Sequence, residues 1–425
     1  MLEVDVRGLA YHGYLDKLRQ LLTDPVHLNK IMRDESMAST RLQDELVAEI
    51  ATMRNHLHIV RYLHQHPMND LIFNGYELQT SARHGHIEMS RFLYENRPAS
   101  RSDKILMTSF KNAIKCGHLE IVSTIHGWQL ANKTAEEASS NKDQLRIKKV
   151  WRMLTLGKKS KNKKKASPSS GVEVDDCMDI AARYGRLDIV KWLHENRSDT
   201  GCTTSAMDWA AYCGHLEIVK FLHENRTEGG TEKCWLEAAE NGHLEVIKFL
   251  HHNRTEPCTP EVMEHAAMQG RMAVVQWLHY NRTEGCTNKA IDHAAMSGHL
   301  NVIKWLFDNR TEGCSYMALD NAAAFGHKDI VVYLHEVISA PCSKQAMTNA
   351  AMIGKLDIVE YLHDNRTEGC HRAAMTSAAF NGYFEVVKFL HHNRTECSNK
   401  EDAIRAAQSS GHKDIAYYLQ ISTKN

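Results

Sequence analysis

Apolar side chains recur at helical spacing on both sides of a glycine that returns about every 28 residues along the later part of the chain. Around Gly214, Met207, Ala210 and Ala211 precede the glycine, and Leu216, Val219 and Leu222 follow it. Steps of three and four residues place each set on one face of a helix. The pattern predicts helix, tight turn at Gly-His, helix. Equivalent glycines stand at 185, 214, 242, 270, 298, 326, 354, 382 and 411, spaced by 28 or 29 residues. The chain is therefore an internal repeat. One repeat cannot bury its apolar face alone, so stability is a sum over stacked neighbours.

Helix ends can be read from the same frame. Thr203, Thr259, Thr287, Ser315 and Ser343 share one position before the first helix and are expected to cap it, with Pro260 at a first helical position. The second helix is expected to close at the Asn of HENR in a left-handed conformation. No strand pattern is present.

Frames such as AAYCGHLEIVKFLHENRTEGG at 210–230 and AAMSGHLNVIKWLFDNRTEGC at 294–314 resemble the ankyrin repeat, with its paired alanines, Gly-His turn and Leu-rich second helix. The resemblance is strong over 172–425, as nine regular repeats, and weak over 1–130. There RHGHIEMSRFL at 83–93 and KCGHLEIVSTI at 115–125 are clear, while HGYLDKLRQLL at 12–22 and RNHLHIVRYLH at 54–64 are degraded. About thirteen repeats result, and the implied fold is an all-α helix-turn-helix solenoid. Two departures stand out. The family's TPLH opening is replaced by SAMD at 205–208, KAID at 289–292 and MALD at 317–320, and the period of 28 falls short of the family's roughly 33. The projecting β-finger is then short or absent, which moves partner recognition onto helices.

Several side chains repeat in a way that suggests packing. A large aromatic recurs as Trp192, Phe221, Phe249, Trp277, Trp305, Tyr333, Tyr361 and Phe389. It is expected to be the layer between repeats, and truncating an interior member should cost about 3–5 kcal/mol. Cys202, Cys258, Cys286, Cys314, Cys342 and Cys370 share a position, with Cys397 slightly displaced. Stacked helices lie about 8–10 Å apart, farther than a disulfide spans, so the ladder reads as small buried thiols of a reducing compartment. Histidines at the turns and at LHEN repeat as translated copies that cannot converge on one ion. No metal and no cofactor is expected. The NRS and NRT strings match a glycosylation acceptor but read as unmodified helix ends copied with the repeat.

Positions that vary between copies are free to serve recognition. Before the paired alanines stand Trp209, Glu237, His265, His293, Asn321 and Asn349; after them stand Tyr212, Glu240, Met268, Met296, Phe325, Met352 and Phe380. The resemblance implies that these line the concave face. That surface would be aromatic and acidic near 209–240, Met-rich through 268–296 and apolar from 325 to 380. Exposed Met and aromatic clusters suit adaptable protein contacts. The plain alternative is that they fold down between neighbouring repeats.

Composition changes the picture at one place. Lys plus Arg and Asp plus Glu are each 52, giving a net charge of zero, which argues against a whole-surface polyanion binder. Yet 142–165 carries eleven Lys or Arg and one Asp, so this stretch is +10 and the rest of the chain −10. The segment 131–171 is read as a basic insert and linker. QLRIKKVWRMLTL is a basic amphipathic helix pattern, followed by Lys158, Lys159, Lys161, Lys163, Lys164 and Lys165. A solvated loop is the plain reading; a nuclear-import or polyanion-binding patch, or docking on the acidic array or a partner, are the alternatives.

With 43% hydrophobic residues and only 7 Pro, the chain should fold. It shows no export signal and no run long enough to span a membrane, which places it in the cytoplasm, with the nucleus as the alternative. No phosphate-binding loop and no nucleophile with a neighbouring base stands out. The sequence therefore reads as a non-enzymatic scaffold that binds a protein partner. The alternative is a nucleic-acid or anionic-surface adaptor that uses the insert.

Overall fold

The computed structural model describes residues 6–23, 47–65, 73, 75–135, 176–197, 202–255, 257–396 and 399–422. The lysine run 158–165, the amphipathic pattern before it and Cys397 lie outside the described residues. Regular structure is helical, with no strand among the described residues. The chain divides into two compact units, Met1–Ala206 and Met207–Asn425.

In the second unit, first and second helices alternate as expected: Lys233–Asn241 with Leu244–Asn253, Pro260–Met268 with Met272–Asn281, and so on to Lys400–Ser409 with Lys413–Ile421. The turn glycines are left-handed, as at Gly270 (φ 68°). Paired alanines such as Ala294 and Ala295 are fully buried, and so are the Ile, Val and Leu of the second helix, such as Ile358, Val359 and Leu362. Small residues let successive first helices approach closely, and this alanine seam is the centre of the stack.

The first unit repeats the same construction, degraded motifs included. Val6–His12 is followed by Leu15–Thr23, and Leu57–Gln65 follows a turn in which Asn55 takes the glycine's place at φ 60°. Asn tolerates this region better than other non-glycine residues. The described residues on either side of 136–175 are packed neighbours. Lys111 Nζ lies 2.6 Å from Asp176. The guanidinium of Arg186 donates from Nε and Nη2 to the Lys115 carbonyl at 3.2 and 3.1 Å. The His126 ring stands edge-on to Trp192 at 5.3 Å.

Three polar ladders join one repeat to the next. In the first, the turn histidine reaches back to a carbonyl of the preceding first helix: His243 to Tyr212 at 3.0 Å, His327 to Met296 at 3.2 Å and His86 to Met53 at 3.0 Å. In the second, a buried carboxylate on one first helix accepts from the cap of the next. Asp208 takes the Thr231 N–H at 2.8 Å and its hydroxyl at 2.9 Å, and Asp320 takes those of Ser343 at 2.9 and 2.5 Å. The cap hydroxyl then accepts the N–H two residues on, as Ser343 does from Gln345 at 3.0 Å.

The third ladder is built from NRTEG. Arg366 grips Glu368 through Nε and Nη2 at 3.2 and 2.6 Å, while its Nη1 lies 3.3 Å from Nδ1 of His335 in the preceding repeat. Arg254 with His223, Arg282 with His251 and Arg310 with His279 repeat this pairing at 3.2–3.4 Å. Each histidine also meets the next repeat's large aromatic edge-on, as His251 meets Trp277 at 5.2 Å. At the C-terminal end the pairing loosens, Arg394 reaching the His363 carbonyl at 3.4 Å in place of the ring, and in one repeat both members are replaced. Phe307 stands where the histidine should be and Ile338 where its arginine partner should be, with Ala340 in place of the glutamate. Both members of the pair are replaced together by apolar residues.

Several end-of-helix expectations need correction. Thr259 makes no capping bond, although Pro260 does open its helix; the residue equivalent to Asp208 one repeat further on is Leu236. The Asn of HENR is not left-handed. It is the last helical residue, and its amide donates to the carbonyl four residues back, as Asn281 does to Trp277 at 2.8 Å, while the following arginine is extended. The aromatic layer does join repeats, but its rings are half-buried. Truncating one should therefore cost less than the range for a fully enclosed ring. Cys370 is disulfide-bonded, against the expectation of a free thiol, while Cys202, Cys258, Cys286, Cys314 and Cys342 are free.

Candidate protein-interaction face

Successive first helices of the second unit pack on one another through their alanine pairs. Equivalent positions around the pairs therefore form rows along the stack. The structure places all thirteen candidate residues in these rows, and burial separates them into two kinds. Tyr212 (40% exposed), Phe325 (58%), Met352 (43%) and Phe380 (55%) stand out into solvent. Trp209, Glu237, Glu240, His265, Met268, His293, Met296, Asn321 and Asn349 are half-buried. The Met-rich middle is thus partly folded down between repeats, and the open apolar surface is concentrated in the C-terminal copies.

The acidic and aromatic end has its own geometry. Trp209 and Tyr212 meet edge-to-face at 5.6 Å. Glu240 lies 3.6 Å from His265 Nδ1 and accepts from the Gln269 amide at 3.3 Å. Glu237 Oε2 is shielded from solvent and has no hydrogen-bond partner. Burial raises the Glu237 carboxyl above its usual range, and the charges of Asp208 and Glu240 push it further against the opposing pull of Lys233. Farther along, the Gln345 amide donates to Asn349 at 2.5 Å, and that of Asn381 donates to the Met352 carbonyl at 2.9 Å.

The remaining chemistry-bearing residues serve the scaffold. Burial pushes the thiols of Cys258, Cys286, Cys314 and Cys342 up to about 11, so they are poor nucleophiles. The cavities beside Cys258, Cys286 and Cys342 are each about 10 Å³, room for one water molecule. No group of three His, Cys, Asp or Glu among the described residues could hold a metal ion. No helix among the described residues is long and apolar enough to cross a membrane.

Sequence reasoning missed the buried carboxylates Asp179, Asp208, Glu264, Asp292 and Asp320. Their signal was present as the last letter of SAMD, KAID and MALD, a charge returning at the repeat period on an otherwise apolar helix.

Family models agree with this architecture. One for ankyrin repeats in three copies matches 178–261 and 319–401, and one for ankyrin repeats in many copies matches 263–307 and 291–335. The chain belongs to the ankyrin-repeat family. Ankyrin repeats are in general protein–protein interaction modules. No curated protein matches the chain.

Proposed function

We propose that the protein is a non-enzymatic scaffold that takes a partner protein on the first-helix face of residues 207–425, the face expected to be concave. The observation that supports this most is the exposure of Phe325, Met352 and Phe380 on three successive first helices. Packing does not require them, because the buried positions of those helices are filled by Ala322, Ala323, Ala350, Ala351, Ala378 and Ala379. Apolar side chains held in water at neighbouring positions mark interaction surfaces, and Met and aromatic rings adapt to a partner's shape.

The test is a triple variant, Phe325→Glu, Met352→Glu and Phe380→Glu, compared with wild type by affinity capture after equal helical circular dichroism has been shown. Loss of a reproducibly captured protein is expected; an unchanged set of captured proteins overturns the reading. A second reading, anionic-surface or nucleic-acid binding through the +10 segment 142–165, is tested by replacing Lys158, Lys159, Lys161, Lys163, Lys164 and Lys165 with Ala. That binding must also weaken steeply with salt.

A further inference from the structure

We infer that the partner segment is basic at one end and apolar at the other: Lys or Arg side chains sit over Trp209, Tyr212, Glu237 and Glu240, and large apolar side chains over Phe325, Met352 and Phe380. This rests on the first-helix face being the binding surface and adds the chemistry of its occupant.

The acidic end is electrostatically incomplete. Asp208 is committed to Thr231 through both oxygens, and Glu240 is shared between Gln269 and His265. Glu237, between them, has a shielded oxygen with no donor. The charges of Asp208 and Glu240 both act on the Glu237 carboxyl, and a cation brought by a partner relieves that repulsion. The neighbouring rings of Trp209 and Tyr212, set edge-to-face, add faces on which an ammonium or guanidinium can rest. At the other end, Phe325, Met352 and Phe380 offer no charge and are close to half exposed or more, which suits Leu, Ile, Met or aromatic side chains.

Other occupants fit less well. A wholly apolar segment would desolvate Glu237 and Glu240 with no compensation, and a polyanion would be repelled by them. Counted from Glu237 and Glu240, the two ends are separated by three to five repeats on the glycine frame from 242 to 326 and 382. At about 8–10 Å per stacked helix, roughly 25–50 Å lies between them. An extended chain covers that distance in about 8–15 residues.

The full chain is panned against a randomised peptide display library, and enriched peptides are then measured by fluorescence anisotropy. Enriched peptides should carry a Lys or Arg cluster and an apolar cluster separated by about 8–15 residues. Their affinity should fall at least about ten-fold with Glu237→Gln plus Glu240→Gln, and again with Phe325→Ala, Met352→Ala and Phe380→Ala. The loss caused by the Gln pair should shrink at high salt. Enriched peptides without basic residues overturn the inference. If binding is lost in the Ala triple but kept in the Gln pair, the partner chemistry falls while the face stands. If both variants bind as wild type, both readings fall. Self-association of the chain that both variants abolish would make a second copy the occupant and also overturns it.

Discussion

Asp292 accepts two hydrogen bonds from Ser315, taking the backbone N–H at 2.9 Å and the hydroxyl at 2.5 Å, with the carboxylate 3% exposed. The acid of one repeat thereby fixes where the next repeat's first helix begins. Removing it leaves the half-buried Ser315 N–H without that acceptor. Asp292→Ala should destabilise by about 2–4 kcal/mol in urea unfolding, and Asp292→Asn, which keeps one acceptor, by less. A cost under about 0.5 kcal/mol would show that the bond is not structural.

At Gly270 two constraints coincide. Its φ is 68°, and a Cβ there would lie 2.6 Å from Nδ1 of His299. Gly270→Ala should cost about 1–2 kcal/mol from the left-handed backbone alone and more from displacing the ring. The steric part should disappear in the His299→Ala background, so a double-mutant cycle should show coupling between the two sites.

Acid should loosen the array. Burial lowers the pKa of His243 and His299, with nearby Arg271 adding to both, and burial and then Arg282 lower that of His251. A histidine depressed in the folded state binds protons more readily when unfolded, so its contribution is full above the unfolded value of about 6.5 and is lost as pH falls below it. The melting temperature should drop between about pH 7 and pH 5, and His243→Gln should reduce that slope. A flat profile across this window would contradict the assignment.

The elements legible in sequence were those set by periodicity and by glycine: helix, left-handed turn, helix, with paired alanines at the seam. Contacts between repeats were less legible, because a residue's partner lies 23 or 31 positions away and only stacking reveals the offset. Asp320 was seen as part of a departure from a motif, not as the acceptor for Ser343. Asn281 was expected to close its helix in a left-handed conformation; the helix does end there, but with Asn281 as its last helical residue and its amide bonded back to Trp277. On the interaction face, Met268 and Phe380 look alike in sequence; only the packing shows that one is half covered and the other open.

The paired loss of histidine and arginine at Phe307 and Ile338 gives a further expectation. Ile338→Arg alone should destabilise by about 1–3 kcal/mol, since the half-buried guanidinium would meet neither an imidazole nor a glutamate. Phe307→His should recover part of that cost, with a coupling of about 0.5–1.5 kcal/mol. Additive effects in denaturant unfolding would show that the two positions are independent.

Thiol chemistry offers a direct readout of repeat integrity. At pH 8 a thiol with a pKa of about 11, such as Cys286, is thiolate in roughly one molecule per thousand. Alkylation of Cys258, Cys286, Cys314 and Cys342 should therefore be slow in the native protein and rapid in urea, as followed by mass spectrometry. Fast native labelling would mean that these repeats open readily.

The contacts of Lys111 with Asp176 and of Arg186 with Lys115 close the stack across a 40-residue interruption. Because the flanking repeats already satisfy one another, this junction is a ready-made attachment point. Residues 136–175 could be shortened to a brief linker, or exchanged for a foreign domain whose termini lie close together. The register of the flanking helices should survive either change.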